Sequence, residues 1–523
     1  IMKENKRKSV WKRLMASLLA VSMMSVMFTG CGGEANTSEQ TASNTENVQQ
    51  AQEKDTLKVA LTDEPNFLST CDHDSLAAVQ MNLLTFNGLT RIDYETLTPV
   101  CDLAESYTQD SGLEWTFKLK QNIKFHDGSD CTAEDVDASL MYAKTFPGSL
   151  NYTGNIDHCE VVDPYTVKIV TSVPTPNLLA DLAYHYNFIL PKELVESGHN
   201  FSESPIGTGP YKFVSWNKGN DLKFEAFDGY FDDARKAQIK NLEFSIIPEG
   251  ATRTMALEAG EVDFVYSVST TDINRLKENS KVTVAEKVSL ENFFLYLNCL
   301  NTPFKDENLR KAVSYALNRE EIVVGALNGF GTPSYSCTSA GYAEFTDKNA
   351  YTYDLDKAKE YMAAWGGDPS TVTLDIICNN QTKKSIATII QAQLAPLGIN
   401  VTINEMDSAT YQAAMTETEL TAAIVSWSPS NAMTYVQRFH KSRRESTPTS
   451  MVNEELDKMI EEMNVTMDAE KRGEMITNII AKTDELCPFV PIYLVNYFRA
   501  YDANLKNVVL GATGYVDFST MSW

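Results

Sequence analysis

The sequence predicts an α/β protein of two lobes, and three observations predict it. Short runs of alternating apolar residues, separated by turn residues, dominate the first half, the pattern of hairpins with one buried face. The third quarter changes to a strand–helix–strand pattern, which implies parallel pairing through a right-handed crossover. A strongly apolar, strand-like stretch then runs from Pro488 to Tyr501. With 523 residues, 43% of them hydrophobic, the chain can fill more than one core.

Each element has its own signal. Trp115, Phe117 and Leu119 alternate, and after Gln121-Asn122 so do Ile123 and Phe125, which predicts a first hairpin. Val161-Val162 and Val167/Ile169 flank Asp163-Pro164 as a second. Lys212 to Trp216 and Leu222 to Phe227 flank Asn217-Lys218-Gly219-Asn220 as a third. Val372 to Cys378 reads as a strand, and Ile386, Ile389, Ile390, Leu394 and Leu397 recur at helical spacing before Gly398, a C-terminal stop. Val401 and Ile403 resume a strand, and helices are expected near 453–464 and 469–486. No internal repeat is visible.

The N-terminal region is unlike the rest. Lys3, Lys6, Arg7, Lys8, Lys12 and Arg13 precede an apolar run from Leu14 to Phe28, too short for a comfortable membrane span and laid out as a signal peptide over 1–30. Phe28-Thr29-Gly30-Cys31 resembles a bacterial lipobox, which implies lipidation of Cys31 and anchoring to the bilayer. Residues 31–55 are rich in Ser, Thr, Asn, Gln and Glu and read as a flexible tether. The formal net charge of −25, from 45 Lys+Arg against 70 Asp+Glu, argues against nucleic acid as a partner, because phosphate binding needs a basic face.

Catalytic and metal signatures are missing. There is no GxSxG elbow, HExxH pair or phosphate-binding Walker loop. Gly207-Thr208-Gly209-Pro210 lacks the third glycine of a dinucleotide loop and precedes a hairpin, so the phosphate reading fails. His73, His126, His158, His185, His199 and His440 are dispersed without ligand spacing, so no metal or other cofactor is expected. His126-Asp127-Gly128 reads as a turn before a capping-box start at Thr132-Ala133-Glu134-Asp135. After Cys31, eight cysteines remain without any CxxC pair, and buried free thiols are as compatible with this scatter as disulfides.

Several motifs stand in order along the chain. Trp115-Thr116-Phe117-Lys118-Leu119-Lys120, Lys124-Phe125-His126-Asp127-Gly128 and Thr132-Ala133-Glu134-Asp135-Val136 form the central set. Phe86-Asn87-Gly88-Leu89 and Pro99 to Ser106 precede it. Gly207 to Tyr211, Leu257 to Asp263, Asn298 to Phe304, and Leu309-Arg310-Lys311-Ala312 through Ala316-Leu317-Asn318-Arg319 follow. The central set looks like the signature of the family 5 extracellular solute-binding proteins of ABC importers, the oligopeptide-, dipeptide- and nickel-binding type, and the other motifs fall in that family's order. The resemblance covers essentially residues 56–510.

It implies a periplasmic-binding-protein-like fold of three domains with a hinge: a discontinuous first domain (56–90, 191–288 and 491–523), a second inserted at 91–190 and a third over 289–490. It further implies a monomer that performs no chemistry, captures short peptides outside the cell by lobe closure and hands them to a membrane permease. Ligand contacts are expected at His73, Asp74, Ser75 and Leu76, and at Trp427, Ser428, Asn431 and Thr434. Family peptide binders hold the ligand ammonium with an Asp in that second loop; here there is none, which leaves Asp74 as the acid or a ligand without a free amino terminus. A nickel or metal-chelate binder of the same fold is the alternative, with His73 as the one histidine in a matched segment, and an exported enzyme is the remoter one.

Overall fold

The computed structural model describes residues 54–71, 75–301, 303–415, 417, 420–443 and 452–523. One mixed sheet of 11 strands organises them. From one edge it runs through Asn400–Glu405, Thr373–Cys378, Ala422–Trp427, Val282–Leu297, Phe489–Asp502, Phe264–Val265, Thr56–Leu61, Asn241–Ile246, Asp221–Ala226 and Tyr211–Asn217, with Thr332–Pro333 also pairing to Phe489–Asp502. Its two ends carry separate cores, which makes the α/β fold two-lobed. At one end the helix Gln381–Leu394 lays Ile386, Ala387 and Ile390 against Leu374, Ile376 and Val401. At the other, Leu57, Val59, Leu84, Phe224, Leu242, Phe244 and Phe264 pack together.

The crossover expected from periodicity is present: Thr373–Cys378 and Asn400–Glu405 pair parallel, and Gly398 ends the connection at φ 75°. Two hairpins also form as read, Ile156–Asp163 with Thr166–Thr171 and Tyr211–Asn217 with Asp221–Ala226. Helices occupy Glu454–Val465 and Ala469–Leu486, started by Asn453 and Asp468, whose side chains accept from Leu456 N and Lys471 N.

The first hairpin needs correction. Glu114–Leu119 pairs with Ala104–Gln109 and Thr166–Thr171 in a separate four-stranded sheet, not with Ile123–Phe125. Alternation reports which face is buried, and Trp115, Phe117, Leu119, Ile123 and Phe125 are indeed all buried. It does not name the partner strand. Asn122, at φ 62°, turns the chain into a loop outside any named strand, with an isolated bridge between Lys124 and Asp130.

Two long strands, Val282–Leu297 and Phe489–Asp502, pair antiparallel along most of their length, and one end lies in each lobe. The register shifts between Val288, opposite Asn496, and Asn292, opposite Leu494. Ser289, Leu290 and Glu291 thus face Val495 alone, a bulge that bends the ribbon where the lobes meet. The eight cysteines after residue 54 form no disulfide with one another; six are buried and Cys101 and Cys159 are partly so. Among the described residues no helix is long and apolar enough to cross a membrane.

Candidate ligand-binding cleft

The strand Ala422–Trp427 delivers Trp427 to the rim of its lobe. There its ring meets Tyr435 at 5.7 Å, Phe489 at 5.9 Å, Phe439 at 6.3 Å and Phe294 at 6.4 Å, and the Arg438 guanidinium lies on one face. Trp427 is therefore half-buried in an aromatic cluster. The chain continues through exposed Ser428 to Asn431, which caps the short helix Ala432–Gln437 by accepting from Thr434 N at 2.8 Å. That contact occupies the carbonyl oxygen of Asn431 in forming the loop.

Thr434 faces a cavity of about 470 Å³ lined from both lobes: Tyr152, Pro174 and Asp181 on one side, Thr434, Gln437 and Arg438 on the other. Tyr152 stacks on Tyr184 at 3.9 Å, which holds it upright at that wall. Asp181 accepts from Asn177 Nδ2 at 2.8 Å, and burial of its carboxyl pushes its pKa up to about 8. Ser430 reaches across to the first lobe as well, sharing a cavity of about 100 Å³ with Asn87, Tyr94 and Arg235.

Ser75 and Leu76 line a different cavity, of about 560 Å³, with Asp63, Gln80, Tyr266 and Arg499. Ser75 also caps the helix Leu76–Thr85 by accepting from Ala78 N at 3.3 Å. The expected contacts thus divide: Ser75 and Leu76 share one cavity, Thr434 lines another, and Trp427, Ser428 and Asn431 build the loop beside it. Cys31, His73 and Asp74 lie outside the described residues. Sequence reasoning missed Asp181, Arg438 and Arg499, each a single charged residue in no recognisable motif.

His126 has no place at these cavities. Its Nε2 bonds the Gly209 carbonyl at 2.9 Å, so Nε2 carries the proton, and Nδ1 accepts from Gly207 N at 3.5 Å. A neutral ring satisfies both, and burial lowers its pKa to about 4. The two motifs that looked like chemistry hold each other. Among the described residues no group of three or more His, Cys, Asp or Glu is placed to hold a metal ion.

Residues 98–446 match the bacterial extracellular solute-binding proteins, family 5 Middle. The chain belongs to this family. It is 26% identical over 534 residues to the oligopeptide-binding protein AppA of Bacillus subtilis (strain 168), covering 95% of this chain and 96% of that one. Among solved structures, HbpA2 from Haemophilus parasuis superimposes with a TM-score of 0.80 at 22% identity, over 89% of this chain and 99% of that one. NikZ from Campylobacter jejuni, in complex with Ni(L-His), gives a TM-score of 0.73 at 24% identity over 90% and 100%. As in these family 5 proteins, the fold is a two-lobed α/β scaffold of a solute-binding protein of ABC importers.

Proposed function

We propose that the protein captures short peptides between its lobes and delivers them to the permease of an ABC importer. The observation that carries this reading is the cavity of about 470 Å³ whose walls come from both lobes, because such a site is completed only when the lobes approach. Similarity to an oligopeptide-binding protein over nearly the whole chain supports the peptide class. Binding energy then shifts an open–closed equilibrium, and no covalent step is required. The domain boundaries proposed at 91, 191, 289 and 491 put one junction at the bulge of Ser289–Glu291.

The test is native mass spectrometry of freshly purified protein. A mass excess that fragments as a peptide of a few residues is the expected result; a bound nickel chelate or a sugar would overturn the peptide class and leave the solute-binding class.

The reading includes a lipid anchor at Cys31. Cys31→Ala is expected to release the protein into the medium or to leave the leader uncleaved, seen by fractionation and intact mass. A processed variant still held in the membrane fraction would exclude the anchor.

A further inference from the structure

The two cavities that residues of both lobes enclose differ in chemistry. The larger, of about 470 Å³, is rich in side-chain amides, among them Asn151, Asn155, Asn177 and Gln437, and also holds Asp181 and Arg438. An amide can both donate and accept, so this wall suits the polar groups of a peptide backbone. The smaller, of about 100 Å³, is lined chiefly by hydrocarbon, from Val79, Leu83, Phe86, Ile92, Leu97 and Phe188.

Arg235, Arg91 and Asp102 also reach the smaller chamber, but they are paired among themselves. Arg235 Nη1 donates to Asp102 Oδ1 at 3.1 Å, and Asn87 Nδ2 donates to Asp102 Oδ2 at 2.8 Å. The Asn87 carbonyl oxygen accepts from Thr208 Oγ1 at 3.1 Å. Arg91 lies between Asp102 and Asp93, at 3.9 and 3.8 Å. Because these polar residues serve one another, the hydrocarbon wall decides what enters.

The chambers are neighbours. Tyr152 of the larger and Tyr184 of the smaller stack with ring centroids 3.9 Å apart and planes within 9°. Tyr184 N also donates to the carbonyl of Asp181, a residue of the larger chamber, at 3.1 Å. On the facing lobe Ser430 lines the smaller chamber and Thr434 the larger, with the Asn431 cap between them. A solute held between the lobes therefore meets a polar chamber and an apolar one side by side. A dry apolar cavity of about 150 Å³ takes a benzene ring. By that measure the smaller chamber takes about four carbon atoms, the side chain of Leu or Ile.

We propose that the protein selects peptides that carry a branched aliphatic side chain. That side chain fills the apolar chamber, and the peptide's polar groups lie in the amide-rich cavity across the Tyr152–Tyr184 stack. The carbon atoms that Leu adds to Ala leave water for hydrocarbon, which supplies the preference. An Asn side chain of similar size loses hydration there instead. Since Ser430 closes the chamber from the opposite lobe, an occupied chamber also favours the closed form. The inference rests on the peptide reading above and adds the side-chain class that the site selects.

The experiment is calorimetric titration of the full protein with Ala-Ala-Ala, with the tripeptides that carry one Leu at each position in turn, and with their Asn counterparts. In the wild type at least one Leu peptide is expected to bind at least about tenfold more tightly than Ala-Ala-Ala, and its Asn counterpart no more tightly. Ser430→Leu puts hydrocarbon into the chamber from the facing lobe, so in that variant the same Leu peptide and Ala-Ala-Ala should bind alike. Leu peptides that bind the wild type no better than Ala-Ala-Ala overturn the selection while leaving the peptide reading intact. So does an Asn peptide that matches its Leu counterpart, or a Leu advantage that survives in Ser430→Leu. Failure of every peptide to bind overturns both. A melting curve checks that Ser430→Leu folds; if it does not, the wild-type comparison of Leu with Asn still decides.

Discussion

His126 illustrates how a single residue can look chemical and act structurally. Its neutral ring both donates and accepts between the 126–128 turn and the 207–209 loop. The pKa is lowered, so between about 4 and 6.5 the unfolded chain binds a proton that the folded chain refuses. Stability conferred by the neutral ring is therefore complete above the unfolded value and is lost as the pH falls through that window. His126→Gln should lower stability by about 1–2 kcal/mol at pH 7.5, and this difference should shrink toward pH 4.5 in denaturant titrations.

Trp427 is a second case. Its contacts with Phe294, Tyr435, Phe439 and Phe489 make Trp427→Ala a cavity mutation, expected to cost about 2–4 kcal/mol in chemical denaturation, whereas Trp427→Phe should cost less than half of that. The sequence placed Trp427 by its motif but could not separate packing from ligand contact.

At the scale of elements, the glycine loop 207–210 explains why two separate motifs occur together. A Cβ on Gly209 would lie 2.3 Å from Leu84 O and 2.5 Å from Thr85 C, the end of the helix Leu76–Thr85. Backbone cannot yield as a side-chain tip can, so Gly209→Ala should cost about 1–3 kcal/mol and lower the melting temperature. Because that helix starts at Ser75, the variant should also weaken ligand binding more than Gly219→Ala, whose site is a hairpin turn open to solvent. Local elements were readable where the signal is local: the crossover 373–405, the hairpin 211–226 and the helix 469–486 all arise from periodicity plus a stop or cap. The hairpin assigned to 115–125 failed because its strand partners come from 104–109 and 166–171, and only register with distant chain decides that.

For the whole molecule, the arrangement of the 11 strands sets the terms of assembly. Phe489–Asp502 sits in the interior of the sheet, between Val282–Leu297 and Phe264–Val265. Without it the sheet falls into two pieces of four and five strands, and Thr332–Pro333 loses the strand it pairs with among the described residues. Arg310 and Arg319 would also lose the carbonyl oxygens of Cys487 and Pro491 or the segments that fix them. A chain ending at Pro488 is therefore expected to lose cooperative unfolding and to be digested by a low dose of protease that spares the full chain, with 205–290 no better protected than 289–488.

Synthesis is vectorial, and the keystone of this sheet leaves the ribosome after every strand it joins. Until then both halves expose unpaired edges, and long-range pairing has nothing to close on. A polypeptide that must thread a narrow channel gains from such a delay: it stays extensible while it is being made and moved, and it locks only when its last long strand arrives.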